Sequence, residues 1–323
     1  MKVHILDDWF DTLRHLKGFS LLEGHQVTVW NDHVTDPQVL ADRLAEAEVL
    51  VLFRERTQVT ADVLARLPKL KLISQRGVYP HVDLAACTAQ GVVLSSKQSG
   101  ASPPHATAEL TFALILASAR QIPQQMESLR AGQWQMGIGQ TLHGRRLGLW
   151  GHGRIGRQVA TYAQAFGMKV WWWSSEAGRA RATAEGAEVA PDRKAFFEQS
   201  DFISVHVRLK PETRGMIRGS DLMRMKPSAS FINTSRAGLV EEGALLAALE
   251  VGRPGRMALD VFDKEPVTDP ADPLVSHPNV ICTPHIGFVT EDELDLQFTE
   301  IYQQILAYAA GEPVHVANPE ALA

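Results

Sequence analysis

At 323 residues the chain is too long for one ordinary core and fits two domains of about 150 residues each. A formal charge of −5 with 45% hydrophobic residues describes a globular protein without the basic surplus that nucleic acids or anionic membranes attract, so we expect neither partner. The two cysteines, Cys87 and Cys282, stand in no metal-ligand spacing, which argues against a metal site and favours a reducing, cytoplasmic setting.

The first hundred residues alternate short apolar segments with helical patterns. Asp36 and Thr60 stand where the N-caps of two of these helices are expected. This alternation predicts parallel β-α units with helices on both faces of one sheet. The five predicted strands cover residues 3–6, 26–30, 49–53, 70–74 and 91–95.

A polar passage over residues 96–104 then leads into a long predicted helix over residues 105–120. We place the first domain boundary in this passage, so that residues 1–101 precede it and residues 102–289 form the second domain. The longest apolar stretch, residues 110–119, is too short to span a bilayer, and the first residues do not resemble an export signal.

The run Gly151-His152-Gly153-Arg154-Ile155-Gly156 follows a strand-like segment, residues 146–150, and opens a helical pattern. In this context Gly151 allows a tight turn, Gly153 lets backbone amides approach a pyrophosphate, and Gly156 permits close packing of helix on strand. The run therefore predicts a dinucleotide site. A glycine-rich turn without a ligand is the alternative.

The second domain continues with strands of the same apolar, β-branched kind. A doubly wound parallel sheet holds its ligand beyond the carboxyl ends of the strands, so functional residues should follow strands. The three tryptophans at 171–173 are interpreted as sheet-face packing rather than as a nucleobase platform. The predicted strands cover residues 169–173, 202–206, 230–234, 257–261 and 280–283.

The last predicted helix, residues 292–310, carries an apolar stripe formed by Leu294, Phe298, Ile301, Ile305 and Tyr308. We expect it to return to the first domain, which then comprises residues 1–101 and 290–323. The expected fold class is α/β, with two doubly wound parallel-sheet domains. A Rossmann-type cofactor domain and a flavodoxin-like substrate domain would face each other across a cleft.

Four polar residues stand at or near predicted strand ends: Arg236, Asp260, Glu265 and His285. An arginine can hold a carboxylate through two parallel hydrogen bonds, and a histidine can give or take a proton near neutral pH. Together they suit a 2-oxo acid. Each also has a structural alternative, respectively a strand cap, a buried turn acceptor, a solvated acid and a loop histidine.

Four blocks of sequence, residues 148–156, 231–240, 258–266 and 283–287, stand in an order and spacing that resemble the D-isomer-specific 2-hydroxyacid dehydrogenases. The resemblance covers nearly the whole chain and includes phosphoglycerate and glyoxylate-hydroxypyruvate enzymes. It implies that Arg236 orients the substrate, that His285 is the general acid-base, and that Glu265 holds that imidazole. The predicted cofactor contacts are Gly151, Gly153, Arg154, Ile155, Gly156, Ser174, His206, Thr234, Ser235, Asp260 and Gly287.

Two positions depart from the family pattern. Where an acidic residue should read the cofactor ribose, the chain has Trp173-Ser174-Ser175, so NAD is expected while Arg179 or Arg181 keeps NADP possible. The substrate loop, residues 75–83, is shorter than in the family. By resemblance the amides near Gly77 and Val78 would receive the substrate carboxylate.

The segment from Arg130 to Trp134 resembles the family's dimer arm, so a homodimer is expected; the alternative is a helix-end tryptophan in its own core. The leading hypothesis for function is hydride transfer between NAD(H) and a small 2-oxo or D-2-hydroxy acid. A cofactor-binding sensor or corepressor on the same fold, without significant turnover, is the alternative.

Overall fold

The computed structural model describes residues 1–98 and 105–322. The chain divides into two compact units, Met1–Ser102 with Val289–Ala323, and Pro103–Phe288. The predicted boundary between residues 101 and 102 lies outside the described residues. In the described part of the chain, no helix combines the length and apolarity needed to cross a membrane.

The first unit begins with five strands and three short helices. Asp36 and Thr60 cap the helices Pro37–Leu44 and Ala61–Leu64 as predicted. The Asp36 carboxylate accepts from the amides of Gln38 and Val39, and the Thr60 hydroxyl accepts from the amide of Val63. The elements are β1 (Lys2–Ile5), β2 (Gln26–Val29), α1 (Pro37–Leu44), β3 (Val49–Val51), α2 (Ala61–Leu64), β4 (Leu72–Arg76), α3 (Leu84–Ala89) and β5 (Val93–Lys97), with 3-10 turns at Leu13–His15 and Lys17–Leu22.

All strand pairs of this unit are parallel, and their order in the sheet is β2-β1-β3-β4-β5. This is the flavodoxin order of doubly wound sheets. The flavodoxin-like architecture predicted for this part of the chain is thereby confirmed.

The second unit begins with a long helix over the predicted residues and continues as a second doubly wound sheet. Its elements are α4 (His105–Arg120), α5 (Ile122–Arg130), β6 (Arg146–Trp150), α6 (Arg154–Ala165), β7 (Lys169–Trp173), α7 (Glu176–Ala184), α8 (Arg193–Gln199), β8 (Phe202–Val205), α9 (Gly219–Leu222), β9 (Ser230–Asn233), α10 (Ala244–Val251), β10 (Arg256–Leu259) and β11 (Val280–Cys282), with 3-10 turns at Pro211–Thr213 and Ala237–Leu239.

Its six parallel strands follow the order β11-β10-β9-β8-β6-β7. One more parallel bridge, Trp172 to Val189, extends the sheet beyond β7. If Val189 is counted as a reduced third strand of this unit, the sheet has the Rossmann order 3-2-1-4-5-6 with one strand added. The predicted Rossmann-type architecture is confirmed.

The tryptophans of β7 pack on the two faces of this sheet. Trp171 lies in an apolar cluster with Phe196, and Trp172 lies in the opposite cluster with Val159. Alternate residues of a strand point to opposite faces, so this division follows from the strand itself. The interpretation of these residues as sheet-face packing is confirmed.

The chain returns to the first unit as α11 (Glu291–Ala309), followed by a 3-10 turn at Pro319–Leu322. The predicted stripe is buried at Leu294, Phe298, Ile301 and Ile305, while Tyr308 is half-buried. The hydroxyl of Ser74 in β4 donates to the carbonyl of Ile301 at 2.9 Å. Beyond the helix, Val316 forms an antiparallel bridge with Ser95 of β5.

Two strands lie two residues later than predicted. β4 and β5 were expected over residues 70–74 and 91–95 but pair from Leu72 with Val93 to Arg76 with Lys97. The shift occurs because polar residues at the strand ends have buried partners: the Arg76 guanidinium pairs with Glu300 of α11 at 2.5 Å. A sequence pattern that ends strands at polar residues misses such pairs.

Candidate active site

The glycine turn joins β6 to α6. Gly151 has a φ of +112°, and a Cβ there would lie 2.4 Å from the carbonyl oxygen of His206. A Cβ on Gly156 would lie 2.6 Å from the carbonyl oxygen of Gly151. Both positions therefore admit only glycine, for backbone conformation or close packing, as the motif requires.

Gly153 is different, because a Cβ built on it meets no described atom within 4 Å. This residue is the N-cap of α6 and offers no side chain to the first-turn amides, which include those of Arg154 and Ile155. A helix N-terminus with open space in front of its amides suits an anion. The turn thus fits the pyrophosphate of a dinucleotide.

The other predicted cofactor residues lie at the carboxyl edge of the same sheet. Ser174 follows β7 and His206 follows β8. Thr234 and Ser235 follow β9, where the Ser235 hydroxyl donates to the carbonyl of Val205 at 2.7 Å. The structure thus brings them to the edge at which this sheet type binds its ligand.

His206 is held neutral. Burial lowers the pKa of His206 to about 4, and its Nε2 lies 3.0 Å from the hydroxyl of Ser204. An uncharged imidazole directly after β8 adds a polar but not a cationic group to this edge.

Trp173 and Ser174, at the end of β7, bear on the choice between NAD and NADP. The Arg179 guanidinium stacks 4.3 Å from the ring centre of Trp173 and donates to the carbonyl of Ser174 at 2.6 Å. Two contacts therefore fix this cation beside the position where an acidic residue would read a ribose. Arg181 is exposed on α7.

Glu265 and His285 form the central hydrogen-bonded pair of the site. Glu265 lies in the loop after β10 and His285 in the loop after β11, and Nδ1 of His285 is 2.6 Å from Oε2 of Glu265. The other oxygen of Glu265 accepts from the amide of Phe262 at 2.9 Å. Each carboxylate oxygen thus has one partner, which fixes the imidazole plane.

The charge of Glu265 is favoured by its neighbours. Partial burial opposes ionisation, but the hydrogen bond from His285, the positive charges of His285 and Arg236, and the Phe262 amide together lower the pKa of Glu265 below its ordinary value. The same interactions indicate that Arg236 lies within electrostatic range of the pair. A cation, a carboxylate and an imidazole therefore share one edge of the sheet.

Arg236 directly follows Thr234 and Ser235, the two residues after β9, which ends at Asn233. The Asn233 side chain accepts from the amide of Ser235 at 3.0 Å and donates to the carbonyl of Arg236 at 2.9 Å. The Arg236 guanidinium donates to the carbonyl of Ser235 at 2.7 Å. Asn233, which the sequence analysis did not single out, shapes this turn. Its position directly before Thr234, Ser235 and Arg236 was the signal that the sequence offered.

Asp260 is fully buried, and its carboxylate is occupied by protein donors. It accepts from the hydroxyl of Thr283 at 2.5 Å and from the amides of Ile286 and Gly287, each at 2.9 Å. Burial raises the pKa of Asp260, while these hydrogen bonds oppose the rise. Asp260 is thus a buried acceptor, the structural alternative considered for it, and Thr283 is a second residue that sequence reasoning missed.

His285 has a φ of +53°, which is unusual for a residue with a side chain. Such strain persists only where surrounding contacts determine the conformation. Here the donors to Asp260 lie on both sides of His285 in the chain. Gly287 is close-packed, since a Cβ there would lie 3.1 Å from Oδ2 of Asp260.

The predicted substrate loop lies in the first unit, at the end of β4. Gly77 has a φ of +94°, and its amide donates to the carbonyl of Lys97 at 3.1 Å. The expectation that the Gly77 amide receives a carboxylate is therefore corrected, because that amide is engaged in extending the β4 to β5 ladder. Val78 follows and is partly exposed.

Comparison with known proteins agrees with this geometry. A profile described as the NAD binding domain of the D-isomer specific 2-hydroxyacid dehydrogenases matches residues 112–287, more than half of the chain. The chain belongs to the D-isomer-specific 2-hydroxyacid dehydrogenase family. The predicted family and the predicted NAD-binding domain are confirmed, and the enzyme class predicted from the sequence is that of the family.

Relatives of this chain include a glyoxylate reductase from Thermococcus litoralis, 34% identical over 318 residues, with 94% of each chain covered. A D-3-phosphoglycerate dehydrogenase from Methanocaldococcus jannaschii is 38% identical over 276 residues, covering 84% of this chain and 52% of that protein. The chain therefore spans about half the length of the phosphoglycerate dehydrogenases it matches.

Among solved structures, one from Ralstonia solanacearum is 47% identical, with a TM-score of 0.95 over 100% of this chain and 98% of that one. It is described, provisionally, as a D-3-phosphoglycerate dehydrogenase oxidoreductase. The similarity extends over both units, so the fold assigned to each of them has a solved counterpart.

Proposed function

We propose that this protein is an NAD(P)-dependent dehydrogenase that interconverts a small 2-oxo acid and its D-2-hydroxy acid. The observation that carries the proposal is the 2.6 Å contact between His285 and Glu265, with the positive charge of Arg236 close enough to act on the same carboxylate. These are the groups that reduction of a 2-oxo acid needs.

The cofactor would bind with its pyrophosphate at Gly151, Gly153 and Gly156, against the first-turn amides of α6. A reduced nicotinamide held there would supply the hydride that C2 of the 2-oxo acid accepts. NAD is the proposed cofactor, and the Arg179 guanidinium beside Ser174 supports additional use of NADP, because it is placed to meet a 2′-phosphate. The remaining proposed contacts are Arg154, Ile155, Ser174, His206, Thr234, Ser235 and Gly287. The carboxylate of Asp260 is occupied by protein donors, so its proposed role is to hold the loop of His285.

Arg236 is proposed to bind the substrate, because its planar guanidinium can hold a carboxylate through two parallel hydrogen bonds. As C2 accepts the hydride, the electron pair of the C=O double bond moves to oxygen. Protonated His285 donates its proton to that oxygen and produces the hydroxyl group. Ionised Glu265 stabilises the imidazolium before this transfer, and in the oxidative direction neutral His285 takes the proton back.

Within the first unit, the proposed substrate contact is the backbone after β4, at Val78 rather than at Gly77. Relatives of this chain are named for glyoxylate and for phosphoglycerate, so the candidates are small 2-oxo acids with or without a second anionic group. The test therefore includes 2-oxo acids with and without a second anionic group.

A homodimer is proposed from the surface around α5. Trp134 is 79% exposed, which contradicts the alternative that it packs in its own core. Contiguous exposed apolar side chains mark interaction surfaces, and twofold dimers are the commonest closed assembly. The exposed apolar residues of this segment are Ile122, Met126, Leu129, Trp134 and Ile138.

A cytoplasmic setting is proposed as well. Both cysteines are free thiols, Cys87 buried and Cys282 half-buried. Burial raises the pKa of Cys87 to about 12 and that of Cys282 to about 11, so neither is a reactive thiolate.

The test is oxidation of NADH and of NADPH with glyoxylate, hydroxypyruvate, phosphohydroxypyruvate, pyruvate and phenylpyruvate. We expect turnover of at least one 2-oxo acid. Arg236→Ala should lower kcat/KM about a hundredfold or more, because a charge-assisted pair is lost, while the Kd for NADH changes little. Arg224→Ala, which removes an exposed arginine paired with Glu198, is the matched control.

His285→Ala should lower the rate of hydride transfer in a single turnover. Binding of NADH with no turnover of any acid in the panel would contradict the proposal and favour the sensor alternative. Equal loss of cofactor affinity and of turnover in Arg236→Ala would contradict the assigned role of the arginine.

A further inference from the structure

Two buried side chains fix the backbone that follows β4. Gln75 and Ser96 are register partners in the parallel pair of β4 and β5. Gln75 is fully buried and Ser96 is 5% exposed. Neither residue was singled out by the sequence pattern, because polar residues inside strands carry no periodic signal.

The hydrogens of these two side chains are directed to the loop. Nε2 of Gln75 donates to the carbonyl of Val78 at 3.2 Å and to the hydroxyl of Ser96 at 3.1 Å. The single proton of that hydroxyl goes to the carbonyl of Gly77 at 2.6 Å. Two successive loop carbonyls, those of Gly77 and Val78, are therefore held toward the interior of the first unit.

Because the peptide bond is planar, the direction of each carbonyl also fixes the direction of the N–H group in the same peptide. In a trans peptide the carbonyl of one residue and the N–H of the next point in opposite directions. Fixing the carbonyls of Gly77 and Val78 inward therefore directs the N–H groups of Val78 and Tyr79 away from the buried pair. The N–H of Gly77 itself belongs to the ladder with Lys97.

We propose that Gln75 and Ser96 are positioning residues that orient the amides of Val78 and Tyr79 to receive the carboxylate of the 2-oxo acid. This inference rests on the proposed function and names the part of the first unit that recognises the substrate class. Donors held in place before the substrate arrives lose little freedom on binding, and a carboxylate takes two N–H groups well.

The structure offers a matched control on the same strand. Ser74 is as buried as Gln75, and its hydroxyl donates to the carbonyl of Ile301 in α11 at 2.9 Å. It also accepts from Nε2 of Gln304 at 3.1 Å, so Ser74→Ala and Ser96→Ala each remove one donated and one accepted buried hydrogen bond from the same unit. Only the second removes a bond to the loop.

The experiment measures KM for the best 2-oxo acid, the inhibition constant of oxamate and the Kd for NADH. In Ser96→Ala we expect KM and the oxamate constant to rise together by about tenfold, with kcat changed less and NADH binding unchanged. Ser96→Thr, which restores a hydroxyl, should recover most of the loss. Ser74→Ala should leave all three constants close to those of the parent.

A second variant and a second kind of measurement ensure that the test does not depend on Ser96→Ala alone. Gln75→Met should raise KM at least as much as Ser96→Ala, and hydrogen exchange at residues 78 and 79 should accelerate in both but not in Ser74→Ala. Equal effects of Ser96→Ala and Ser74→Ala, or normal oxamate binding in Gln75→Met, would overturn this inference and leave the proposed function standing. If the parent reduces no 2-oxo acid, the proposed function fails and the inference falls with it.

Discussion

The carboxylate of Asp260 binds donors on both sides of His285 in the chain. The hydroxyl of Thr283 precedes the histidine, and the amides of Ile286 and Gly287 follow it. His285 itself adopts a left-handed backbone conformation, so these three hydrogen bonds compensate a conformation that costs about 1–3 kcal/mol. Asp260 thus determines where the proposed proton donor lies.

Asp260→Asn should therefore reduce turnover more than cofactor binding. An amide nitrogen cannot accept from a backbone N–H, so at least one donor to residue 260 loses its partner, and the free energy of unfolding should fall by about 1–3 kcal/mol. Urea denaturation and single-turnover reduction of the best 2-oxo acid measure the two effects. Asp263→Asn, an exposed acid in the same loop, is the control. Full activity in Asp260→Asn would contradict the positioning role.

The Glu265 and His285 pair predicts a pH dependence of stability. The pKa of Glu265 is lowered on folding from its ordinary value of 4.5, so its stabilising contribution is present above pH 4.5 and is lost as the pH falls through the lowered value. The free energy of unfolding of the parent should exceed that of Glu265→Gln at neutral pH by less than about 1 kcal/mol, because the pair is partly exposed. The difference should vanish on acidification. Glu250→Gln, at an exposed helix position, should show no such trend, and a gap that widened toward low pH would contradict the assignment.

Substitutions at two glycines of the cofactor turn should have separate effects, one on the stability of the fold and the other on NADH binding. Gly151→Ala places a Cβ 2.4 Å from a backbone oxygen at a positive φ, so it should destabilise the fold by about 3 kcal/mol or more. Gly153→Ala meets open space and should melt with the parent, yet weaken NADH binding at least tenfold, because the methyl group occupies the approach of the pyrophosphate. Thermal unfolding and NADH fluorescence measure both. Normal NADH affinity in Gly153→Ala would place the pyrophosphate elsewhere.

Much of this arrangement could be predicted from the sequence, and the reason is topological. Arg236, Asp260 and His285 follow β9, β10 and β11, and parallel strands bring their carboxyl ends to one edge. The pairing of Glu265 with His285 came from the family resemblance and not from their spacing, because it depends on the path of two loops. The left-handed backbone at His285 could not be foreseen, since the residue types around it do not require it.

The part that sequence reasoning missed depends on strand register. Gln75 and Ser96 are 21 positions apart and meet only because β4 and β5 pair in one alignment. A slip of one residue would turn either side chain to the other face of the sheet. The predicted strands lie two residues too early and end before Gln75 and Ser96. Neither the contact between these two side chains nor the correction at Gly77 could therefore be predicted.

Cofactor preference should depend on Arg179. Arg179→Ala removes the guanidinium that stacks on Trp173 and binds the carbonyl of Ser174, so we expect NADPH binding to weaken about tenfold with NADH binding nearly unchanged. Fluorescence titration with each cofactor measures the ratio. Arg181→Ala removes an exposed arginine of the same helix and is the control. Equal weakening of both cofactors in Arg179→Ala would assign the side chain to the stability of α7 instead.

The proposed dimer surface can be tested with one charge. Leu129 and Val251 are similarly exposed, at 57% and 60%, but only Leu129 lies in the apolar segment around α5. Leu129→Asp should convert a dimer into a monomer in sedimentation equilibrium, because an unpaired carboxylate would be buried in the interface. Val251→Asp should leave the parent mass unchanged. A parent that sediments as a monomer would dismiss the proposal.

The return of the chain to the first unit imposes an order on biosynthesis. β5 pairs with β4 on one side, and Val316 bridges to Ser95 on the other, where the Asn318 side chain also bonds the backbone of Leu94 and Val92. On the ribosome, the contiguous nucleotide-binding unit is complete before this segment emerges. The unit that was translated first therefore finishes last, and until then one border of its sheet is open to chaperones or to misassociation with another nascent chain.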